Sequence, residues 1–393
     1  MPKTKRILFL LSRFLDGGID MVLLDYLRNL SSCGDYRITL AIATGMGELE
    51  VFRRQVPPTV EVVHLVDDGW LTRWRKQKVK GDLPPYVKVC DELLLAPIRR
   101  WLTFRRLRTL VKKHDVVVDF DCCHYSYLQG LPVWKVAWWH FSIGQRMETD
   151  HRRMQHVGQH LSVYDRVVVI SRAMLEEGRR FFPEIEGRWR LIYNAKDAQL
   201  LEQQAAQPVD DERISKPYIL AVERLEESQK DLTTLIRAYR LLKSEHGVTE
   251  KLYLLGQGRD EQRLRALAFT EGVADDVEFL GFHSNPYPWI QHARLIAHSA
   301  KLEGLPTAMI ESLVLGKLIV SSDCPTGPRE ILNDGKSGLL VPVGDVEQMA
   351  AAMYRLLTDE PLRTTILQDG EVHRRRFLFE STRQQFDEVI TPS

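Results

Sequence analysis

Glu303-Gly-Leu-Pro-Thr-Ala-Met-Ile-Glu311, followed by Ser312-Leu-Val-Leu-Gly316 and then Leu318-Ile-Val-Ser-Ser322-Asp323, reads as loop, helix, turn and buried parallel strand. Pro306 fixes φ and suits the first turn of a helix, where its missing N–H costs nothing. The helix is expected from about Thr307 to Leu315, stopping at Gly316. Its free N–H groups and positive dipole end face the loop and form a ready anion site. Glu303 precedes the helix and Glu311 lies inside it. At the helical rise, eight residues span roughly 12 Å. That is the reach of an extended ligand with a phosphate centre and a hydroxyl-rich group at each end.

A nucleotide sugar is such a ligand, because its ribose and hexose both offer vicinal hydroxyls to a carboxylate. Two glutamates at this spacing occur readily by chance on a solvated helix; the Gly-Leu-Pro-Thr interior and the strand after it make the pattern specific. The segment resembles the E-x7-E motif of retaining glycosyltransferases of family 4, which adopt the GT-B fold. The kin it resembles are bacterial cell-surface glycan glycosyltransferases, of lipopolysaccharide core, capsule or O-antigen.

The chain has 393 residues, too long for one ordinary core and suited to two domains. Apolar residues make up 44% and charged ones 27%, which marks a globular protein. A net charge of +1 argues against a general nucleic-acid binder. The cysteines, Cys33, Cys90, Cys122, Cys123 and Cys324, show no disulfide framework or metal spacing, so a reducing, cytoplasmic setting is expected. Cys122-Cys123-His124 suggests a metal, but neighbours on a strand point to opposite faces, and buried thiols are the expected reading. No apolar run reaches the length of a membrane span. The run Ile7-Leu-Phe-Leu-Leu11 is too short for a signal peptide and reads as the first strand of a parallel sheet.

Strands alternate with helices in both halves, which implies an α/β protein with doubly wound parallel sheets. Strands are expected at 7–11, 37–43, 61–65, 116–119, 136–139 and 167–170, with Leu191 to Asn194 closing the half. In the second half they are expected at 218–222, 251–255, 277–280, 295–298 and 318–321. Helices are expected from Ile19 to Leu30, after a Ser171 cap, at 232–242 and at 260–269. The resemblance implies two Rossmann-like domains facing across a cleft. Residues 1–195 would bind acceptor, 196–216 would be a polar linker, and 217–370 would bind the donor. Residues 371–393, with Phe386, would return to the first domain.

Other segments fill in the pattern. Strand 218–222 runs into Glu223-Arg224-Leu225 and on to Gln229-Lys230; Arg224 and Lys230 match the family residues that hold the donor diphosphate, where fixed positive charge is needed as negative charge builds up. A plain surface pair is the alternative. Glu223 stands where the family has glycine and is expected to point away. Gly256-Gln257-Gly258 resembles the family Gly-x-Gly turn, weak evidence alone. The loop with Phe282, Asn285 and Tyr287 would line the base pocket. Gly17-Gly18 before a helix matches the glycine-rich loop. Trp138-Trp139-His140 resembles a Trp-x-His pattern that would aim His140 at the donor sugar; a structural histidine is the other reading. His298 is expected to be structural or to support the site from behind.

The resemblance assigns the roles. Glu303 would orient sugar hydroxyls, Glu311 hold the ribose, and Gly304, Leu305 and Thr307 present N–H groups to phosphate and sugar. No cofactor and no metal are implied. The expected activity is transfer of a hexose from a nucleotide diphosphate sugar, a UDP-sugar foremost, to a lipid-linked or cell-surface glycan. A nucleotide-sugar epimerase and a non-catalytic glycan-binding protein are the rivals. Residues 70–113 hold 13 Lys/Arg against three acids, a local charge of +10, with Trp70, Trp74, Trp101 and Phe104 interleaved. A solvated face is the common meaning of such a run. The aromatics suit an anionic membrane surface, and so a peripheral place on its inner face.

Overall fold

The computed structural model describes residues 4–15, 17–81 and 83–392. Asp16 of the glycine loop and Asp82 of the basic segment lie outside the described residues. The chain divides into two compact units. The first contains the chain up to Ile170, Leu175–Ala195 and the residues from Arg383 onward; the second contains Ser171–Met174 and Lys196–Thr382.

The first unit is built on seven strands: β1 Lys5–Leu11, β2 Tyr36–Ile42, β3 Glu61–His64, β4 Val116–Asp119, β5 Trp134–Trp139, β6 Arg166–Val169 and β7 Trp189–Leu191. Their order is β3-β2-β1-β4-β5-β6-β7, and every pairing is parallel. In β1, Ile7 stands opposite Ile38 on one side and Val116 on the other. Both sheet faces are covered by helices, so the central strands are unbroken apolar runs rather than alternating ones. The last helix, Phe379–Val389, brings Phe386 into the aromatic cluster of Phe9, Tyr26 and Trp138. Trp134 Nε1 donates to Val389 O at 2.8 Å, and Tyr36 hydrogen-bonds Asp387.

The second unit holds β8 Tyr218–Val222, β9 Lys251–Leu255, β10 Val277–Gly281, β11 Leu295–His298, β12 Ile319–Ser322 and β13 Leu339–Val341. The order is β10-β9-β8-β11-β12-β13, again parallel throughout. Helix Leu232–His246 lays Leu232, Leu235, Ile236, Tyr239 and Leu242 on one face against this sheet, beside Met349, Met353 and Leu356 of helix Val346–Thr358. Each such side chain contributes about 1.5–3 kcal/mol on full burial.

The differences from expectation have local causes. Helix Leu232–His246 runs one turn past Leu242, because Gly247 (φ 60°) is the residue able to cap it. Residues 196–216 are not a plain linker: Asp197 accepts from Leu200 N at 3.0 Å and caps helix Ala198–Ala205. Ser171 does cap its helix, accepting from Met174 N. Among the described residues no helix is long and apolar enough to cross a membrane.

Candidate functional site

In each sheet the chain reverses its direction of winding once, between β1 and β4 and between β8 and β11. At such a point the loops leaving two adjacent strands diverge and open a crevice at the strands' carboxyl ends. The crevice of the second unit therefore lies between the loop after β8, which carries Glu223 to Lys230, and the loop after β11, which carries His298 to Glu303. Backbone bonds stitch these loops together: Asp231 N to Ser299 O at 2.9 Å and Lys301 N to Gln229 O at 2.9 Å. Ser299 Oγ adds a bond to Asp231 O at 2.7 Å.

This stitching brings four charged side chains into one buried cluster. Lys230 pairs with Glu303. His298 Nδ1 lies 2.7 Å from Glu223 Oε1, and His298 Nε2 lies 3.3 Å from Glu303 Oε1. Burial by itself would raise the Glu303 carboxyl, but Lys230 and His298 outweigh it and hold it at about 2. Burial opposes charge on Lys230 as well, yet Glu303 and Glu223 raise its pKa; His298 is raised through Glu223 against the same opposition. Lys230 and His298 thus face Glu223 and Glu303 in one buried cluster, where each group depends on the others for compensation. Glu223, expected to point away, instead turns inward, also accepting from Ser299 N at 3.0 Å. Arg224 stays exposed at the mouth, its guanidinium donating to Gln229 Oε1 at 3.3 Å.

Glu311 lies in helix Thr307–Val314 and is buried, its Oε1 receiving Lys196 Nζ at 2.6 Å and the Tyr287 hydroxyl at 3.3 Å. Lys196 is wholly buried. Leu305, before the helix, is buried, and Gly304 O lies close to Gly327, whose φ of 91° demands glycine. Asn285 is a fastener in this structure: Nδ2 donates to Gln204 O and to Gln207 Oε1, both at 2.9 Å. The Gly-x-Gly turn has a steric reason. A Cβ on Gly256 would stand 1.9 Å from Glu223 O, and one on Gly258 would stand 2.2 Å from Leu225 O. The turn presses its backbone onto the very loop that carries Arg224.

In the first unit, Gly17 caps helix Gly18–Ser32, and its N–H donates to Asp20 at 2.8 Å. The protein's own carboxylate thus sits at the helix start expected to receive an anion. His140 follows β5, and its Nε2–H donates to Phe120 O at 2.8 Å. Burial lowers its pKa to about 4, so the ring is neutral at pH 7. It lines a recess with Asp121, Cys122, Cys123, Arg146 and Arg153. Nearby, Asp119, Asp121 and His124 offer ligand atoms within 4.8 Å of one another. His124 Nδ1 lies 2.8 Å from Asp119 Oδ1, and despite burial the two carboxylates raise its pKa to about 10. His124 Nδ1 also lies 3.4 Å from Asp121 Oδ1, so the ring pairs with both carboxylates.

Sequence reasoning did not find Lys196 or the inward role of Glu223, and it left His298 in the background. Lys196 sits one residue after Asn194-Ala195 with no motif around it. His298 carried one signal, its place at the end of a strand beside the winding reversal.

Residues 203–372 match the family model described as Glycosyl transferases group 1. The chain is 30% identical over 213 residues to an N-acetylgalactosamine-N,N'-diacetylbacillosaminyl-diphospho-undecaprenol 4-alpha-N-acetylgalactosaminyltransferase of Campylobacter jejuni, covering 54% of this chain and 56% of that protein. It is 21% identical over 333 residues to a lipopolysaccharide 1,6-galactosyltransferase of Escherichia coli K12, covering 81% and 87%. The chain spans about half the length of the first curated relatives it matches. The crystal structure of Anabaena HepE in complex with UDP superposes with a TM-score of 0.74 at 17% identity, covering 98% of this chain and 99% of that one, a likeness of fold. The switch-point cluster lies inside the stretch similar to glycosyl transferases group 1, and the two parallel sheets have the GT-B fold.

Proposed function

We propose that the protein is a retaining hexosyltransferase that moves a sugar from a UDP-sugar to a hydroxyl of a lipid-linked or cell-surface glycan. The observation that carries this reading is the buried Lys230–Glu303 pair at the winding reversal of the second sheet, with Arg224 exposed on the same loop as Lys230. Cation and carboxylate side by side are what a diphosphate joined to a polyhydroxyl ring requires. Arg224 and Lys230 stabilise the departing diphosphate. Glu303 orients the sugar hydroxyls, Glu311 the ribose, and the N–H groups at Gly304, Leu305 and Thr307 meet phosphate. The displacement proceeds on the front face, with the leaving phosphate taking the acceptor's proton; no metal or cofactor is assigned a role. His140, neutral at pH 7, is suited to hydrogen-bonding a sugar hydroxyl rather than to carrying charge. The glycan relatives and the UDP complex of a fold neighbour support donor and acceptor classes. The basic segment 70–113 extends the reading to a peripheral enzyme on the cytoplasmic face of an anionic membrane.

The test is calorimetry with a panel of sugar nucleotides in EDTA, followed by turnover of Arg224→Ala. The expected results are selective binding of UDP-sugars and a fall in kcat of about a hundredfold, the size seen when one donor to developing negative charge is removed. Absence of nucleotide binding, or an unchanged kcat in the variant, overturns the reading. Product formed from donor alone turns it toward an epimerase.

A further inference from the structure

Residues 85–111 form one uninterrupted helical rod in three parts: Pro85–Cys90, a π-turn at Asp91–Leu95, and Ala96–Val111. Its solvent face carries Tyr86, Val89, Leu93, Leu94, Ile98, Trp101 and Phe104, with Tyr86 72%, Leu93 70%, Leu94 64% and Trp101 56% exposed. The inward face is made of Asp91, Ala96, Arg99, Thr103 and Leu107, all buried, at separations of 5, 3, 4 and 4 residues. Steps of three and four keep to one side of an α-helix, whereas a step of five does not. The step of five falls at the π-turn, where the backbone repeats at i→i+5. The single extra residue thus keeps the buried face in line, and Leu93 and Leu94 together carry the exposed row across the turn to Ile98.

The charges are arranged to match. Asp91 is buried and held by Arg99 through two bonds of 2.7 Å and by Arg75 at 3.1 Å. This removes an acid from the surface, and Glu92 is the other acid among the described residues of the segment. Arg100, Arg105, Arg108 and Lys112 remain exposed beside the stripe. Arg105 lies over the Trp101 ring at 5.4 Å and Arg108 over the Phe104 ring at 5.9 Å. A merely solvated face has no use for a continuous row of large apolar side chains. A row flanked by guanidinium groups, in a chain of net charge +1, has the charge complementarity of an anionic bilayer.

We propose that this rod lies flat in the headgroup layer of an anionic membrane. Leu93, Ile98, Trp101 and Phe104 enter the acyl boundary, Arg100, Arg105 and Arg108 rest on lipid phosphates, and the π-turn holds the two halves of the inserted stripe in register. The proposal deepens the membrane part of the functional reading and is independent of its chemistry.

The test is co-sedimentation of the full chain with vesicles of phosphatidylcholine alone and of phosphatidylcholine mixed with phosphatidylglycerol. Binding is expected to the anionic vesicles, to weaken with added salt, and to fall about fivefold for each of Arg105→Gln and Arg108→Gln. A Leu93→Ser/Trp101→Ser/Phe104→Ser variant is expected to lose binding at unchanged charge. UDP binding by the same variants reads the donor site separately, so its retention shows that the fold is intact; its absence in the parent chain would count against the glycosyltransferase reading and not against this one. Equal binding to neutral vesicles, no binding to either, full retention by the triple serine variant, or capture by an RNA homopolymer in place of vesicles overturns the proposal.

Discussion

Replacing Glu303 by glutamine keeps the side chain's size and removes one charge from the cluster at the end of β11. The magnitude follows from the carboxyl's titration. An ordinary glutamate titrates near 4.5, and in the folded protein Glu303 is held at about 2, because Lys230 and His298 overcome the cost of burial. That gap corresponds to about 3 kcal/mol of stability. Glu303 is almost fully buried, so solvent screening does not erode the figure. Because the folded pKa is depressed, the contribution is present in full above 4.5 and is lost as the pH falls from there toward 2. Glu303→Gln is therefore expected to lose about 3 kcal/mol at pH 7 and to converge on the parent as the pH falls through about 2, where the parent's own carboxyl takes up its proton. His298 has the opposite sign. Its pKa is raised, so its share is present in full below about 6.5 and fades as the pH climbs through its folded value.

Hydrogen exchange of amides in β8 and β11, such as Leu220 and Ala297, isolates the second unit from the first. A loss of about 3 kcal/mol appears as roughly a hundredfold faster exchange where opening limits the reaction thermodynamically. A loss below about 1 kcal/mol at pH 7, or one that stays the same as the pH is lowered, would falsify the account of the cluster as mutually dependent charges.

Two further outcomes follow from buried geometry. Lys196→Met leaves the Glu311 carboxylate without its ammonium at 2.6 Å and is expected to cost about 3–5 kcal/mol in urea unfolding, with much of it recovered in Lys196→Met/Glu311→Leu; no recovery in the double variant would show that packing, not charge, is at stake. Gly256→Ala places a methyl 1.9 Å from Glu223 O at a φ of 148°, and is expected to shift the loop bearing Arg224, weakening UDP binding at least tenfold with a lowered melting temperature; unaltered binding would mean that the loop position does not depend on the turn.

Much of the fold was legible because parallel strands covered on both faces are plain apolar runs, and β8, β9 and β11 fall where those runs do. The spacing of Glu303 and Glu311 around Pro306 likewise marked the loop and helix. The electrostatic character of the site was not legible. Lys230 and Glu303 are far apart in sequence, and their pairing depends on the backbone bonds between the loops after β8 and β11. Lys196 lies in a stretch whose polar composition reads as a linker, yet it is buried because Glu311 supplies its counter-charge. The π-turn was hidden for a different reason: an extra residue in a helical pattern breaks the expected period, so the segment read as charge without a face. Once the step of five from Asp91 to Ala96 is assigned to the π-turn, the buried face becomes regular and the exposed row follows it.

Each glutamate of the motif thus faces a lysine from elsewhere in the chain, Glu303 with Lys230 and Glu311 with Lys196. On the proposed function, this arrangement makes donor binding an exchange of partners rather than the filling of bare charges. A sugar hydroxyl that draws Glu303 away from Lys230 leaves a buried ammonium uncompensated, which is costly unless the same ligand brings an anion. A diphosphate supplies that anion in the same molecule. A free hexose offers the hydroxyls without the charge, and inorganic diphosphate offers the charge without relieving Glu303. The paired cluster therefore selects for a molecule that joins both groups, and it does so through the penalty that either part alone incurs, which is discrimination by unpaired charge rather than by shape.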